Sequence, residues 1–188
     1  MPISKPAPRD HIHTRSIQCT GYKRKDGLWD IDGYMTDTKS YTFDSIDREH
    51  IASGEPIHHM LMRITIDDDM VIQRAEASTE FAPYHICGDI SDNFAQLKGL
   101  KVGPGWRRAV NQAMGGTHGC THLRDLLIGP LAVTAYQTIV PMRRRANPDT
   151  TPTRRPAIIG TCHAYAPNGA IVERMWPSFF EETEQENE

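Results

Sequence analysis

The chain has 188 residues, 38% of them apolar and 24% charged, with a formal net charge of −3. That length suits one domain with its own core. The slight acidity excludes a general nucleic-acid binder, which carries a basic surplus. No run of about eighteen apolar residues occurs, so no segment is expected to cross a membrane. The opening MPISKPAPRDHIHTR lacks the apolar stretch of a secretory signal. Cys19, Cys87, Cys120 and Cys162 lie far apart with no C-x-x-C, so a reduced, cytoplasmic protein is expected rather than a disulfide framework.

In chain order, Pro2, Pro6 and Pro8 predict an extended arm over residues 1–15. SIQCTGYKRKDGLWDIDGYMTD reads as a hairpin turning at Asp26-Gly27. A polar connection ends in Gly54-Glu55-Pro56. A second hairpin alternates Met60, Met62, Ile64 and Ile66 before a turn at Asp67-Asp68-Asp69. DISDNFAQLKGL predicts a short helix capped by Asp89 or Ser91, with Phe94 and Leu97 on one side and Gly99 as its stop. GPGWRRAVNQAMGG predicts another helix, from near Gly105 to Gly115-Gly116. THLRDLLIGPLAVTAYQTIVPMRRR reads as the longest helix, with Thr121 as N-cap and a break near Ile128 imposed by Pro130. Arg143, Arg144, Arg145, Arg154 and Arg155 fit a solvated helix end and linker. Residues 146–157 read as a Pro/Thr-rich linker, 158–177 as a hairpin turning at Asn168-Gly169, and 178–188 as a disordered acidic tail. Strands followed by helices predict an α+β fold over residues 16–145: an antiparallel sheet of hairpins with helices on one face, in a single domain.

Four stretches carry candidate chemistry. In GGTHGCTHLRDLL, an extended backbone would bring His118, Cys120 and His122 to one face, whereas a helix would turn Cys120 away from the histidines. Gly115, Gly116 and Gly119 favour a loop that enters a helix at Thr121. Cys120 would then sit beside the helix N-terminus, which favours the thiolate, and the loop N–H groups would suit a carboxylate or phenolate. The alternative makes Cys120 a small buried hydrophobe. In GEPIHHM, His58 and His59 begin a strand and point to opposite faces, so at most one serves a given site. In PYHIC, Tyr84, His85 and Cys87 stand where sheet gives way to helices, and Cys87 and Cys120 with a histidine would make a three-ligand zinc site. In GPGWRR, Trp106 offers an aromatic wall and Arg107 or Arg108 a cation for an anionic group; the alternative buries Trp106 and leaves both arginines outside. His11 and His13 fall on the arm. The chain has no phosphate loop, dinucleotide fingerprint, G-x-S-x-G or H-E-x-x-H, so proton transfer is the chemistry its histidines, tyrosines and carboxylates suit.

The ordered blocks DGLWDIDGYMTDTKSY, GEPIHHMLMRITIDDDMVI, PYHIC, GPGWRRAV and GCTHLRDLL…AYQT resemble a bacterial domain-of-unknown-function family over about residues 8–140. Some relatives resemble γ-formaldehyde lyases of sphingomonad-type bacteria that act on phenylcoumaran dimers derived from lignin. The resemblance implies a cofactor-independent reaction. A phenol ionises, the furan ring opens to a quinone methide, the hydroxymethyl group leaves as formaldehyde, and a stilbene remains. It also implies catalytic roles for His58 as the base, with Tyr84 and Arg107 holding oxygens. His59, Trp106, Cys120 and His122 would contact the substrate. The family pattern has one histidine after GEPI; here His58 is followed by His59, which leaves the base to be chosen between them. Two other readings stand beside this one: a zinc or iron enzyme or scaffold using Cys87, Cys120 and His122 or His118, and a non-enzymatic binder of aromatic acids. The proline-rich arm and final hairpin suggest a homodimer.

Overall fold

The computed structural model describes residues 3–147 and 152–182. The chain divides into two units, Met1–Arg145 and Ala146–Glu188. The first carries strands β1 (His13–Lys23), β2 (Trp29–Lys39), β3 (Phe43–Ser45), β4 (Glu49–Ile51), β5 (Pro56–Ile66) and β6 (Ile72–Phe81). Helices α1 (Trp106–Met114), α2 (Thr121–Leu126) and α3 (Ala132–Ala146) follow. The main sheet is antiparallel in the order β1-β2-β5-β6, with β3 and β4 pairing separately, so the α+β expectation holds.

Both predicted hairpins form. Gly27 adopts φ +90° in the first turn, where the Arg24 N–H donates to Leu28 O at 2.9 Å. In the second, Asp67 Oδ1 accepts the N–H groups of Asp69 and Val71, each at 2.9 Å. Because side chains alternate along a strand, Trp29, Ile31 and Met35 of β2 share a face with Met60, Met62, Ile64 and Ile66 of β5. These residues are buried together with Val110, Met114, Leu123, Leu126, Leu127, Leu131 and Ile139 from the helices. On the opposite face, the Arg63 guanidinium donates to both oxygens of Asp32 at 2.6 Å.

The helical layer lies close to the sheet. A Cβ built on Gly21 of β1 would fall 1.9 Å from Thr138 Oγ1 of α3. The short helix predicted after Asp89 is instead two 3₁₀ turns, His85–Gly88 and Ser91–Leu97, although Phe94 and Leu97 are buried as the pattern required. α1 runs between Gly105 and Gly115 as expected. The long helix is interrupted where Pro130 lacks an N–H: a π-helical turn, Leu127–Leu131, separates α2 from α3. Its N-cap is Cys120, and Thr121 is the first helical residue.

Three further boundaries change. The arm ends early, because His13 and Arg15 already belong to β1. The polar connection before Pro56 contains the β3–β4 pair. Residues 158–177 form no hairpin: a 3₁₀ turn, His163–Tyr165, leads to α4 (Ala170–Met175). The primed turn that Asn-Gly usually makes needs positive φ at both central residues. Gly169 has φ −94° and ψ 151° and caps α4 instead. Ile159, Val172 and Trp176 form this unit's small core. Of the expected linker and tail, residues 148–151 and 183–188 lie outside the described residues, and Pro177–Phe179 is a 3₁₀ turn. No helix among the described residues is long and apolar enough to cross a membrane.

Gly21→Ala is expected to destabilise the fold by roughly 1–3 kcal/mol, because the added methyl meets the short Thr138 side chain rather than a flexible one. A lower urea midpoint at unchanged slope is the expected reading.

Candidate functional site

The site grows from the register of three strands. Arg15 of β1 lies opposite Asp37 of β2, and Asp37 lies opposite His58 of β5. All three share the helix-facing side of the sheet with Met35 and Met60. Asp37 is 1% exposed. Its Oδ1 accepts from Arg15 Nε at 2.8 Å and lies 3.0 Å from His13 Nε2. Its Oδ2 accepts from Arg15 Nη2 at 2.8 Å and from His58 Nδ1 at 3.0 Å. Burial pushes the Asp37 carboxyl up, but the Arg15 guanidinium and then His58 outweigh this and hold it down at about 2.

The helical layer supplies the second half. Gly119 runs so close to the end of α1 that a Cβ there would sit 2.4 Å from Met114 O. This turns the chain back over the sheet, and α2 begins with His122 in its first turn. The His122 ring stacks on His58 with centroids 3.9 Å apart and planes tilted by 38°. Its Nδ1 lies 3.8 Å from Cys120 Sγ. Burial lowers the proton affinity of both histidines. At His58 the Asp37 contact opposes that effect while Arg15 and His13 add to it; at His122, His58 and Arg15 add to it.

Both rings line a cavity of about 650 Å³, within the range of about 300–1,000 Å³ that small-molecule sites occupy. Met60, Pro83, Ile86 and Ile90 give it apolar walls; Tyr84, Asp89 and Thr117 add polar groups to its lining. The β3–β4 hairpin holds the Tyr84 segment in place. Ser45 Oγ donates to Pro83 O at 3.2 Å, and the His85 N–H donates to Asp47 at 2.8 Å.

Of the residues expected from sequence, His58, Tyr84, Cys87, Cys120 and His122 meet in this cavity. Others do not. His59 points to the opposite sheet face and stacks on Phe81 at 6.2 Å. His118 is exposed; its backbone oxygen accepts from Asn93 and its N–H donates to Gly115 O, each at 3.3 Å, and it does not line the cavity. An extended PYHIC would bring His85 and Cys87 to a common face, but the segment is a 3₁₀ turn, and His85 does not line the cavity. Trp106 and Arg107 line a different depression, of about 750 Å³. Trp106 shares a buried helix face with Val110 and Met114, and its indole N–H donates to Leu127 O at 3.4 Å. Arg107, one residue further round the helix, faces outward. Sequence reading missed Asp37, Arg15 and His13. Counting back equally from an Asp26-Gly27 turn would set Arg15 opposite Thr38; the register pairs it with Asp37 instead, because the loop between Lys23 and Trp29 is centred on Asp26.

Ligand atoms of Asp37, His58 and His122 lie within 4.8 Å of one another, the grouping a metal ion would use. The donor set fits a cation poorly. Both Asp37 oxygens are bonded to a guanidinium, whose charge opposes a second positive centre at the same carboxylate. The cluster expected from Cys87, Cys120 and His122 does not converge in this way among the described residues.

A four-stranded antiparallel sheet with helices on one face, and a cavity lined by a histidine that a buried aspartate holds, defines the class. The chain belongs to the family described as "Protein of unknown function (DUF2889)", which matches residues 13–137. No curated protein and no solved structure matches it.

The low position of Asp37 sets a pH dependence of stability. An unfolded aspartate titrates near about 3.9, so the unfolded chain takes up this proton first as pH falls. The Asp37 contribution, roughly 2 kcal/mol, is then fully present above about pH 5 and lost as pH drops toward 2. Asp37→Asn is expected to give a shallower fall in urea midpoint across that window than the unmodified chain.

Proposed function

We propose that the protein is a cofactor-independent lyase that releases formaldehyde from the hydroxymethyl group of a phenolic, lignin-type aromatic dimer, leaving a stilbene. The observation that carries this reading is that His58, held by Asp37, lines a cavity sized for such a molecule. A carboxylate only accepts, so His58 Nδ1 carries the hydrogen directed at Asp37, and the Nε2 lone pair is left to act as base. Burial supports the neutral form that a base requires.

In the proposed reaction the phenol ionises and its electrons expel the aryl ether oxygen, forming the quinone methide. His58 then takes the hydroxymethyl proton. The O–H pair becomes the second bond of formaldehyde, and the broken C–C pair forms the stilbene double bond while the quinone methide returns to phenolate. Tyr84, which also lines the cavity, would hold the phenolic oxygen. Asp37 is a positioning residue, orienting His58 and favouring its protonated form as that form develops. Arg107 has no part in this reaction because it lies outside the cavity. Membership of an uncharacterised family is compatible with this activity and does not select it.

Incubation with a phenylcoumaran dimer bearing a free phenol and a hydroxymethyl group is expected to release one formaldehyde per stilbene formed. His58→Ala is expected to lower turnover by ~10²- to 10⁴-fold. Prior treatment with a chelator is expected to leave the rate unchanged. Full turnover by His58→Ala would remove His58 from the mechanism, and loss of activity on chelation, restored by zinc or iron, would replace the reading with a metal-dependent one.

A further inference from the structure

The stacked histidines differ in what their second nitrogens meet. His58 Nδ1 faces the Asp37 carboxylate at 3.0 Å, whereas His122 Nδ1 faces the Cys120 thiol at 3.8 Å. The first partner only accepts, which fixes the hydrogen of neutral His58 on Nδ1 and leaves Nε2 as an acceptor. The second partner is a weak donor through its S–H. If Cys120 donates to His122 Nδ1, the hydrogen of neutral His122 sits on Nε2. Two rings with centroids 3.9 Å apart, both lining the cavity, then carry one acceptor and one donor nitrogen.

The lyase reaction needs such a pair. Its hydroxymethyl oxygen and its aryl ether oxygen are carried by substituents on adjacent carbons, so the proton to be removed and the negative charge to be met arise side by side. We propose that His122 is a second catalytic residue, donating an Nε2–H hydrogen bond to the aryl oxygen as it leaves, beside His58 acting as base. This rests on the lyase reading above. The C–O bond breaks with its electron pair on oxygen, and the His122 N–H meets that charge without giving up its proton. His58 Nε2 takes the hydroxymethyl proton as formaldehyde departs. His58 then passes that proton to the aryl oxide, so the hydroxymethyl hydrogen ends on the new phenol and both rings return to their starting forms. The phenol proton lost at the outset returns to the phenolate regenerated at the end. No oxidant or further reactant enters.

A donor and a base are distinguished by substitution. The amide of glutamine can donate a hydrogen bond but is a poor base, and leucine can do neither. His122→Leu is expected to lose ~10²- to 10³-fold in kcat, the cost of removing one donor to a developing oxyanion, with KM little changed. His122→Gln is expected to recover at least tenfold of that loss. Equal loss in both variants, with circular dichroism showing both folded, would overturn the assignment. A second measurement does not depend on turnover. In ¹⁵N-labelled protein at pH 7.5, the imidazole nitrogen spectra are expected to show His58 as the Nδ1–H tautomer and His122 as the Nε2–H tautomer. The opposite tautomer at His122 would sink the donor role even in an active enzyme. If no formaldehyde is released by the unmodified protein while these tautomers are seen, the substrate reading fails and the donor–acceptor pair stands, as a site for a different reaction.

Discussion

Burying the Asp37 carboxylate is costly unless its oxygens are fully engaged and its charge is matched. Arg15 does both at once: its planar fork donates to each oxygen at 2.8 Å, and its charge cancels that of the carboxylate. His13 and His58 occupy the remaining positions at 3.0 Å. These groups come from three neighbouring strands, so the ion pair and the sheet register depend on each other. A slip of β1 by one residue would turn Arg15 to the opposite face, leaving a buried charge without its cation. The same slip would put His58 beside an unpaired carboxylate. Correct pairing of the sheet and correct charge at the site are therefore one condition.

Packing against the other layer sets where the second histidine falls. Gly21 and Gly33 leave β1 and β2 without side chains where Thr138, Leu126 and Leu131 come down on the sheet. The close approach they permit brings the start of α2 over β5, and Gly119 directs the chain into it. Just after the interruption at Pro130, Thr134 Oγ1 donates to Pro130 O at 2.9 Å. His122 thus reaches His58 through backbone constraints, without a bond between the two rings. Its position is a consequence of helix-on-sheet packing.

The hairpins, the α+β layering and the interrupted helix were readable in the sequence because each rests on local rules: turn residues with positive φ, alternation of apolar side chains, and proline without an N–H. The alternation at His58-His59 also predicted that only one of the two enters a site, and His59 does lie across the sheet. Two kinds of feature were not readable. Residues 158–177 carry a turn signal whose backbone requirement Gly169 does not meet, and a small apolar cluster around Trp176 makes a helix there instead. The pairing of β2 with β5 spans a long connection that fixes no count, so nothing local places Asp37 opposite His58. GPGWRR left two readings open, and the structure bears out the second: helical spacing puts Trp106 with Val110 and Met114 in the core and leaves both arginines exposed.

The Arg15–Asp37 pair also decides what kind of histidine His58 is. Beside an unpaired buried carboxylate, an imidazole gains proton affinity and holds its proton at neutral pH. With the guanidinium already on both oxygens, Asp37 still accepts the Nδ1–H but presents less negative charge to the ring. Burial then prevails and lowers the affinity, and the nearby Arg15 charge adds to that effect. A neutral ring with one nitrogen engaged and the other free is what a general base must be before reaction. The carboxylate regains importance only once the ring takes up a proton and its charge needs support. Arg15 therefore separates two jobs that a bare His–Asp contact would merge, holding the carboxylate in place and leaving the histidine unprotonated.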